Sequence, residues 1–248
     1  MNLIQIGKKY FTMPDRWNEL SQWQLIRIME IFHQDILVEK ANVQFFRILS
    51  GISWFRMKTR ILDVLENMHL VEWIYEEKAE NLLTRNLIPE YMDLYGPSDE
   101  LNNVSAQEFF WADHFFRKWE ETNDAVQLNM LVATLYRSLR KIPYDHIINP
   151  DNDHREVFNQ NLIEAYCTVT QHFPMPVKLA IAKFFKHNFM AIRDKYPEPF
   201  EASGGQPSRF GFVALFRDVA EAGHHGQFAD IEKMNVHLFF MELCIAME

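Results

Sequence analysis

Apolar residues recur every three or four positions along most of the chain, which is the spacing that places side chains on one face of an α-helix. One such stripe follows Pro14-Asp15 and contains Leu25, Ile28, Met29, Phe32 and Ile36. Further helices are predicted near 40–50 and 57–86, and the second ends before Pro89, since a residue that precedes proline disfavours helical geometry. The pattern therefore predicts a mainly α-helical, multi-helix globular domain.

The first residues follow a different pattern. The segments LIQI and KYFT alternate apolar and polar side chains on either side of Gly7-Lys8. A two-residue connection between alternating segments is typical of a tight β-turn. We therefore predict a short N-terminal β-hairpin ahead of the first helix.

The central segment carries two helix-start signals. Ser105 with Glu108 matches a capping box, and Asp124 with Gln127 repeats the signal. The first helix is predicted to bury a stripe that consists of Phe109, Ala112, Phe115, Phe116 and Trp119. The second is expected to run as far as Leu139 and to pack against the first as an antiparallel pair. Three basic residues near its end offset the negative helix terminus: Arg137, Arg140 and Lys141.

Turn-rich segments divide the second half of the chain. Residues 143–153 are polar and rich in turn formers, which marks a candidate boundary between subdomains. Residues 196–209 contain three prolines and two adjacent glycines, and we expect them to form a mobile loop. Helical spacing is found between these segments, over 157–172 and again after Pro174.

The helix after Pro174 is predicted to bury a stripe that contains Val177, Ile181, Phe184 and Phe185. Two final helices are predicted over 210–222 and 228–247. Between them lies His224-His225, which is flanked by glycines and is interpreted as a turn. We therefore predict one helical domain over residues 1–248.

Composition and charge narrow the class of protein. Hydrophobic residues make up 48% of the chain and aromatic residues 14%, which is too apolar for a disordered chain. The net charge of −9 disfavours binding to nucleic acid or to an anionic membrane. Cys167 and Cys244 are isolated thiols, and no apolar segment is long enough for a signal peptide or a membrane span. These features favour a cytoplasmic protein.

One cluster has the residue types of a metal site, namely His146, Asp151, Asp153 and His154. The segment from Asp151 resembles a calcium loop, but Glu156 stands where that loop needs glycine and Leu162 where it needs a bidentate glutamate. We therefore predict a solvated loop here, and no metal, cofactor-binding or catalytic residue in the chain, which also lacks the common nucleotide-binding and hydrolase signatures.

The chain has more aromatic residues on its predicted helices than one inward stripe can bury. Phe110 and Trp111 lie off the stripe of their helix. Either that helix is buried on two sides, or these rings line a groove for a partner helix. A second candidate for partner binding is a basic face formed by Lys183, Lys186 and Arg193, although such a face is commonly only the solvated side of its helix.

A series of segments along nearly the whole chain resembles proteins encoded in tailed phages and prophages, in the region of tail morphogenesis. These segments are, in order, PDRWNELSQWQL, LIPEYMDLYGPSDELNNVSAQEFFWAD, LVATLYR, KLAIAKFFKHNF with KYPEPF, and AEAGHHGQFADIEKMNVHLFFMEL. The resemblance implies a mainly helical fold. It also implies the role of a tail assembly chaperone, which holds the helical tape measure protein soluble until tube subunits polymerise around it.

This role implies phage tail proteins as partners, a location in the host cytoplasm and no catalytic residues. The alternative is a structural component of the tail or neck that stays in the virion. A second alternative is a metal-dependent enzyme centred on the cluster at residues 146–154. The oligomeric state is left open by the sequence.

Overall fold

The computed structural model describes residues 1–141, 153–201, 219 and 228–247. Strands β1 (Asn2–Ile6) and β2 (Lys9–Met13) pair antiparallel around Gly7, whose φ of 65° a glycine adopts without strain. The inward side chains of Ile4 and Ile6 are buried, whereas the alternating positions Leu3 and Gln5 are exposed. The predicted hairpin is confirmed.

Helices make up most of the rest of the described chain. In order they are α1 (Gln22–Phe32), α2 (Val38–Ser50), α3 (Trp54–Thr59), α4 (Ile61–Glu66), α5 (Ala106–Thr122), α6 (Ala125–Leu135), α7 (Ile163–Thr170), α8 (Met175–Lys195), α9 (Glu198–Glu201), α10 (Phe228–Lys233) and α11 (Val236–Met247). Short 3-10 helices occupy Trp17–Glu19, Met68–Tyr75, Ala79–Asn81, Asp99–Leu101 and Gln160–Leu162. The mainly α-helical fold is thus confirmed.

The long helix predicted over 57–86 is wrong. Arg60 leaves helical geometry (φ −132°, ψ 44°) and separates α3 from α4. The physical reason is a contact with the hairpin, because Asp63 accepts a hydrogen bond from the backbone N–H of Gly7 at 2.7 Å. The region before Pro89 continues in 3-10 turns, and a second small hairpin follows it, β3 (Glu90–Tyr91) with β4 (Leu94–Tyr95).

Helices α5 and α6 begin where predicted and pack against each other. Ser105 accepts a hydrogen bond from the Glu108 N–H, and Asp124 accepts one from the Val126 N–H. The predicted extension of α6 to Leu139 is wrong, since the helix ends at Leu135. Backbone pairing ends it, as the residue after Tyr136 exchanges hydrogen bonds of 2.8 and 3.1 Å with Tyr95.

Arg137 provides that pairing, and its side chain is buried instead of lying at an exposed helix end. Later in the chain, α7 is shorter than the predicted 157–172, whereas α8 starts directly after Pro174, its N-cap residue, as predicted and buries the expected stripe. Residues 228–247 form two helices. Asn235 separates them, because the flanking backbone pairs with the residues around Ser105.

Several predictions fall wholly or mostly outside the described residues. They are the boundary at 143–153, the loop beyond residue 201, the helix over 210–222 apart from the buried Val219, and the turn at His224-His225. Within 196–209, residues Glu198–Glu201 form α9.

Aromatic rings from three helices meet in the core. Phe109 of α5 lies 5.6 Å from Phe185 and 5.8 Å from Phe189, both of α8, and 5.7 Å from Phe240 of α11, measured between ring centroids. Helix α1 packs on the same α8. Elements from the N-terminal and C-terminal parts of the described chain therefore both pack around helix α8. None of the described helices has the length and hydrophobicity needed to cross a bilayer.

Candidate functional site

Phe110 does not line an open groove. Its side chain is only 5% exposed, and its ring lies 5.4 Å from Phe239 and 6.1 Å from Phe240. Helix α5 is thus buried on two sides, which was the other reading of its aromatic surplus. Trp111 is half-buried next to Phe115, and its Nε1 donates a hydrogen bond of 3.0 Å to Gln160. Of the two interpretations, burial therefore applies to Phe110, and Trp111 is engaged by its own chain.

The three cations that were predicted to share a basic face of α8 do not form one free face. Lys186 pairs with Glu77 at 2.9 Å and lies 4.0 Å from Glu120, whereas Arg193 is exposed and lies 3.4 Å from its neighbour Asp194. Lys183 is half-buried. The charged groups and rings around Lys183 differ from those around Lys186 and Arg193. The three cations therefore do not share one environment.

The Lys183 ammonium lies 4.3 Å from the ring centroid of buried Trp17. Burial lowers the pKa of Lys183 to about 8, a shift that Glu77 opposes and Lys186 reinforces. Beside it is a surface groove of about 340 Å³, lined in part by Phe32, Phe116, Trp119, Glu120, Lys183 and Lys186. Cations and carboxylates are balanced in this groove, which gives it no preference for an anionic or a cationic ligand.

Two buried arginines hold the region around the start of α5. Arg137 contacts the Glu108 carboxylate at 2.8 Å, and Arg155 contacts it at 2.9 Å. Arg155 also contacts Asp153, at 2.9 Å. Burial disfavours the charge of Arg155, but Glu108 and Asp153 outweigh this effect and raise its pKa. The network joins α5 to the segments that follow α6 and precede α7.

This network is closed to ligands. The Arg155 guanidinium directs its remaining N–H groups to the backbone oxygens of Leu135 and Asn103, and Arg137 does the same to Thr134 and Glu156. With five donors on each guanidinium, these contacts leave neither Arg137 nor Arg155 a free N–H group for the adjoining cavity of about 530 Å³. We therefore read the cluster as a structural cross-link.

The candidate metal cluster is divided by the same network. Asp153 is engaged with Arg155, and His146 and Asp151 lie outside the described residues. Across the described ranges, no group of three or more His, Cys, Asp or Glu side chains is placed to hold a metal ion.

The most exposed large apolar side chains lie on the two shortest α-helices of the first third of the chain, α3 and α4. Leu62 is 78% exposed and Phe55 is 77% exposed. Together with neighbours that are at least half exposed they form what we call the apolar surface, which consists of Trp54, Phe55, Ile61, Leu62 and Leu65. Contiguous exposed apolar side chains of this size mark interaction sites more often than scattered ones do.

The apolar surface arises because α3 and α4 each turn only one side chain fully inward, Met57 and Val64 respectively. Adjacent apolar positions such as Trp54-Phe55 and Ile61-Leu62 point in different directions on a helix, so one buried face cannot hold both. The sequence carried this signal in its doubled apolar positions. The predicted long helix over 57–86 obscured it, since a longer helix would have had a continuous stripe.

Comparisons with protein-family models, with curated proteins and with solved structures give no match. The surfaces of the chain itself therefore carry the structural evidence on its function.

Proposed function

We propose that this protein binds an apolar helical segment of a partner on the apolar surface, without catalysing a reaction, and that it acts as a tail assembly chaperone. The partner would then be the tape measure protein, which is long and helical. The proposal combines the resemblance to tail-region proteins with a surface that is suited to such a ligand. Host cytoplasm is the location that this role requires.

The exposure of Phe55 and Leu62 is the observation that carries the proposal. An amphipathic helix presents apolar anchors at intervals of three or four residues, and a receptor for it needs several large apolar side chains side by side. The apolar surface supplies five such side chains from two consecutive helices. A tape measure protein offers many similar segments, so that weak individual contacts gain strength through avidity.

Co-expression with the tape measure protein of the same phage tests this role. The wild-type chain should raise the soluble fraction of the tape measure protein, and Leu62→Asp should abolish this effect, because buried apolar anchors commonly account for at least a tenfold change in affinity. Val126→Asp is the matched control, since Val126 is 50% exposed on α6, outside the apolar surface. Leu62→Asp should leave the midpoint of thermal unfolding nearly unchanged.

Equal solubility of the tape measure protein with and without the chain would contradict the chaperone role. The structural alternative makes a different prediction, which mass spectrometry of purified particles can check. If the chain is present in them at a fixed stoichiometry, it is a component of the tail or neck, and the apolar surface is a contact within the virion.

A further inference from the structure

We propose that the segment bound by the apolar surface is acidic on its polar face, an inference that rests on the proposed function and specifies the chemistry of the partner. The observation behind it is a group of cations on the same elements as the apolar surface and on the hairpin tip that contacts them. Five cations lie on α3, between α3 and α4, and at the tip of the N-terminal hairpin: Lys8, Lys9, Arg56, Lys58 and Arg60.

Specific contacts hold the hairpin tip and its cations next to α3 and α4. The Gly7 N–H donates a hydrogen bond of 2.7 Å to Asp63 of α4. A side chain at Gly7 would meet the Arg60 guanidinium group at 3.1 Å, so this group lies directly against the turn that carries Lys8. The apolar surface and the cations of the hairpin tip are thus parts of one continuous face.

Other contacts place cations against the aromatic rings. The Lys58 ammonium lies 5.4 Å from the ring centroid of Trp54, and the Arg56 guanidinium lies 5.5 Å from that of Phe11 on β2. Among the described residues, none of the five cations forms an ion pair with a carboxylate. Their charge is therefore available to a partner, except where solvent and salt screen it.

The nearby carboxylates do not cancel this charge. Asp63 and Glu66 are the two carboxylates of α4, and together they offset only two of the five positive charges. The face therefore has an excess of positive charge on a chain whose net charge is −9. Such a local inversion of sign favours an acidic partner and repels a basic one at the same face.

An anionic membrane would also offer apolar and acidic groups, but the whole molecule favours a helical protein ligand. A net charge of −9 opposes approach to an anionic surface that extends past the small basic face, whereas a single helix contacts only that face. The five apolar side chains also come from two consecutive short helices, and an amphipathic helix binds by laying its apolar face against such side chains.

Two synthetic amphipathic peptides of about 18 residues test the inference. They have the same leucine face, and their polar faces carry glutamate in one peptide and lysine in the other. Fluorescence anisotropy should give the acidic peptide a Kd about tenfold lower than that of the basic peptide at about 0.05 M salt, and the ratio should approach one at about 0.5 M salt because ions screen the exposed charges.

A triple variant with Lys8→Gln, Lys9→Gln and Lys58→Gln should lose most of the preference for the acidic peptide. Its matched control replaces three exposed lysines elsewhere, Lys40→Gln, Lys118→Gln and Lys141→Gln, and has the same net charge. The control should keep the preference. If both triple variants lose it equally, the effect comes from the total charge and the inference is overturned.

The remaining outcomes separate this inference from the proposed function. If both peptides bind equally and Leu62→Asp removes both, the apolar surface binds helices but the acidic partner is wrong. If neither peptide binds, the proposed function fails and this inference fails with it. If the chain instead binds vesicles of phosphatidylcholine with phosphatidylserine and Leu62→Asp prevents this, the face is a membrane contact and both proposals are overturned.

Discussion

At the scale of single residues, His187 shows how the core of α8 constrains protonation. Its ring is fully buried, and its Nδ1 accepts a hydrogen bond of 2.6 Å from the backbone N–H of Leu83. Burial, reinforced by the charges of Lys183 and Lys186, lowers the pKa of His187 to about 3 from an ordinary value of 6.5. The folded protein therefore keeps this imidazole neutral in mildly acidic solution.

The stability of the protein should decrease as the pH falls from about 6.5 towards 3. In this range the unfolded chain binds a proton at His187 and the folded chain does not, so the free energy of unfolding falls by up to about 1.4 kcal/mol per pH unit from this group. Carboxylates add their own pH dependence. His187→Asn keeps an acceptor for Leu83 but has no proton to bind, and it provides the comparison.

Urea denaturation at a series of pH values measures the effect. The wild type should be more stable than His187→Asn at pH 7, and the difference should shrink steadily in acid. Parallel curves for the two proteins would show that His187 is protonated in the folded state as readily as in the unfolded one.

At the scale of elements, the buried arginine network fixes the start of α5 against segments that lie far from it in sequence. Arg155→Met should lower the free energy of unfolding by about 3–5 kcal/mol, because the buried Glu108 carboxylate would keep only Arg137 as a partner and Asp153 would lose its closest one. Arg193→Met is the control. Its side chain is 50% exposed, so its pairing with Asp194 should contribute less than about 1 kcal/mol.

Chemical denaturation of the wild type, Arg155→Met and Arg193→Met measures these free energies of unfolding. The comparison requires the same m-value, the slope of the free energy with denaturant concentration, in all three proteins. A loss below about 1 kcal/mol for Arg155→Met would mean that the methionine packs well and that the carboxylates find water or other donors.

The same elements show what local sequence can and cannot predict. The starts of α5 and α8 were predictable because Ser105 and Pro174 act on the backbone within one turn. The end of α6 and the break at Arg60 were not, because residues distant in sequence cause them, Tyr95 and Gly7 respectively. Glu108 was expected to complete a capping box, and it binds two arginines instead.

The candidate site was predictable only in part for a similar reason. Aromatic surplus indicated an interaction surface, and Trp54 and Phe55 belong to that surplus. Which rings stay exposed depends on whether other helices cover them, and α11 covers Phe110 whereas α3 has few neighbours. No pattern within a single helix carries this information.

At the scale of the whole molecule, the packing of α8 predicts a single cooperative unit. Helix α8 contacts α1 and α6, and its Phe185 and Phe189 meet Phe109 of α5 in the aromatic core. A change at Phe109 should therefore reach α1, although the two are not neighbours in sequence. The sequence-based prediction of one domain can therefore be tested by measuring whether distant helices unfold together.

Phe109→Ala should lower the free energy of unfolding by about 3–5 kcal/mol, since it removes a fully buried ring that contacts four others. Phe55→Ala is the matched control and should cost less than about 0.5 kcal/mol, because its ring is 77% exposed. In a single unit, far-ultraviolet circular dichroism and tryptophan fluorescence should give coincident transitions, and Phe109→Ala should shift both equally.

Hydrogen exchange adds a local readout, as the amides of α1 should exchange faster in Phe109→Ala through global unfolding. If α1 keeps its wild-type exchange rates while α5 and α8 lose protection, the N-terminal helices form a separate folding unit, and the apolar surface belongs to a part of the molecule that can move or unfold independently.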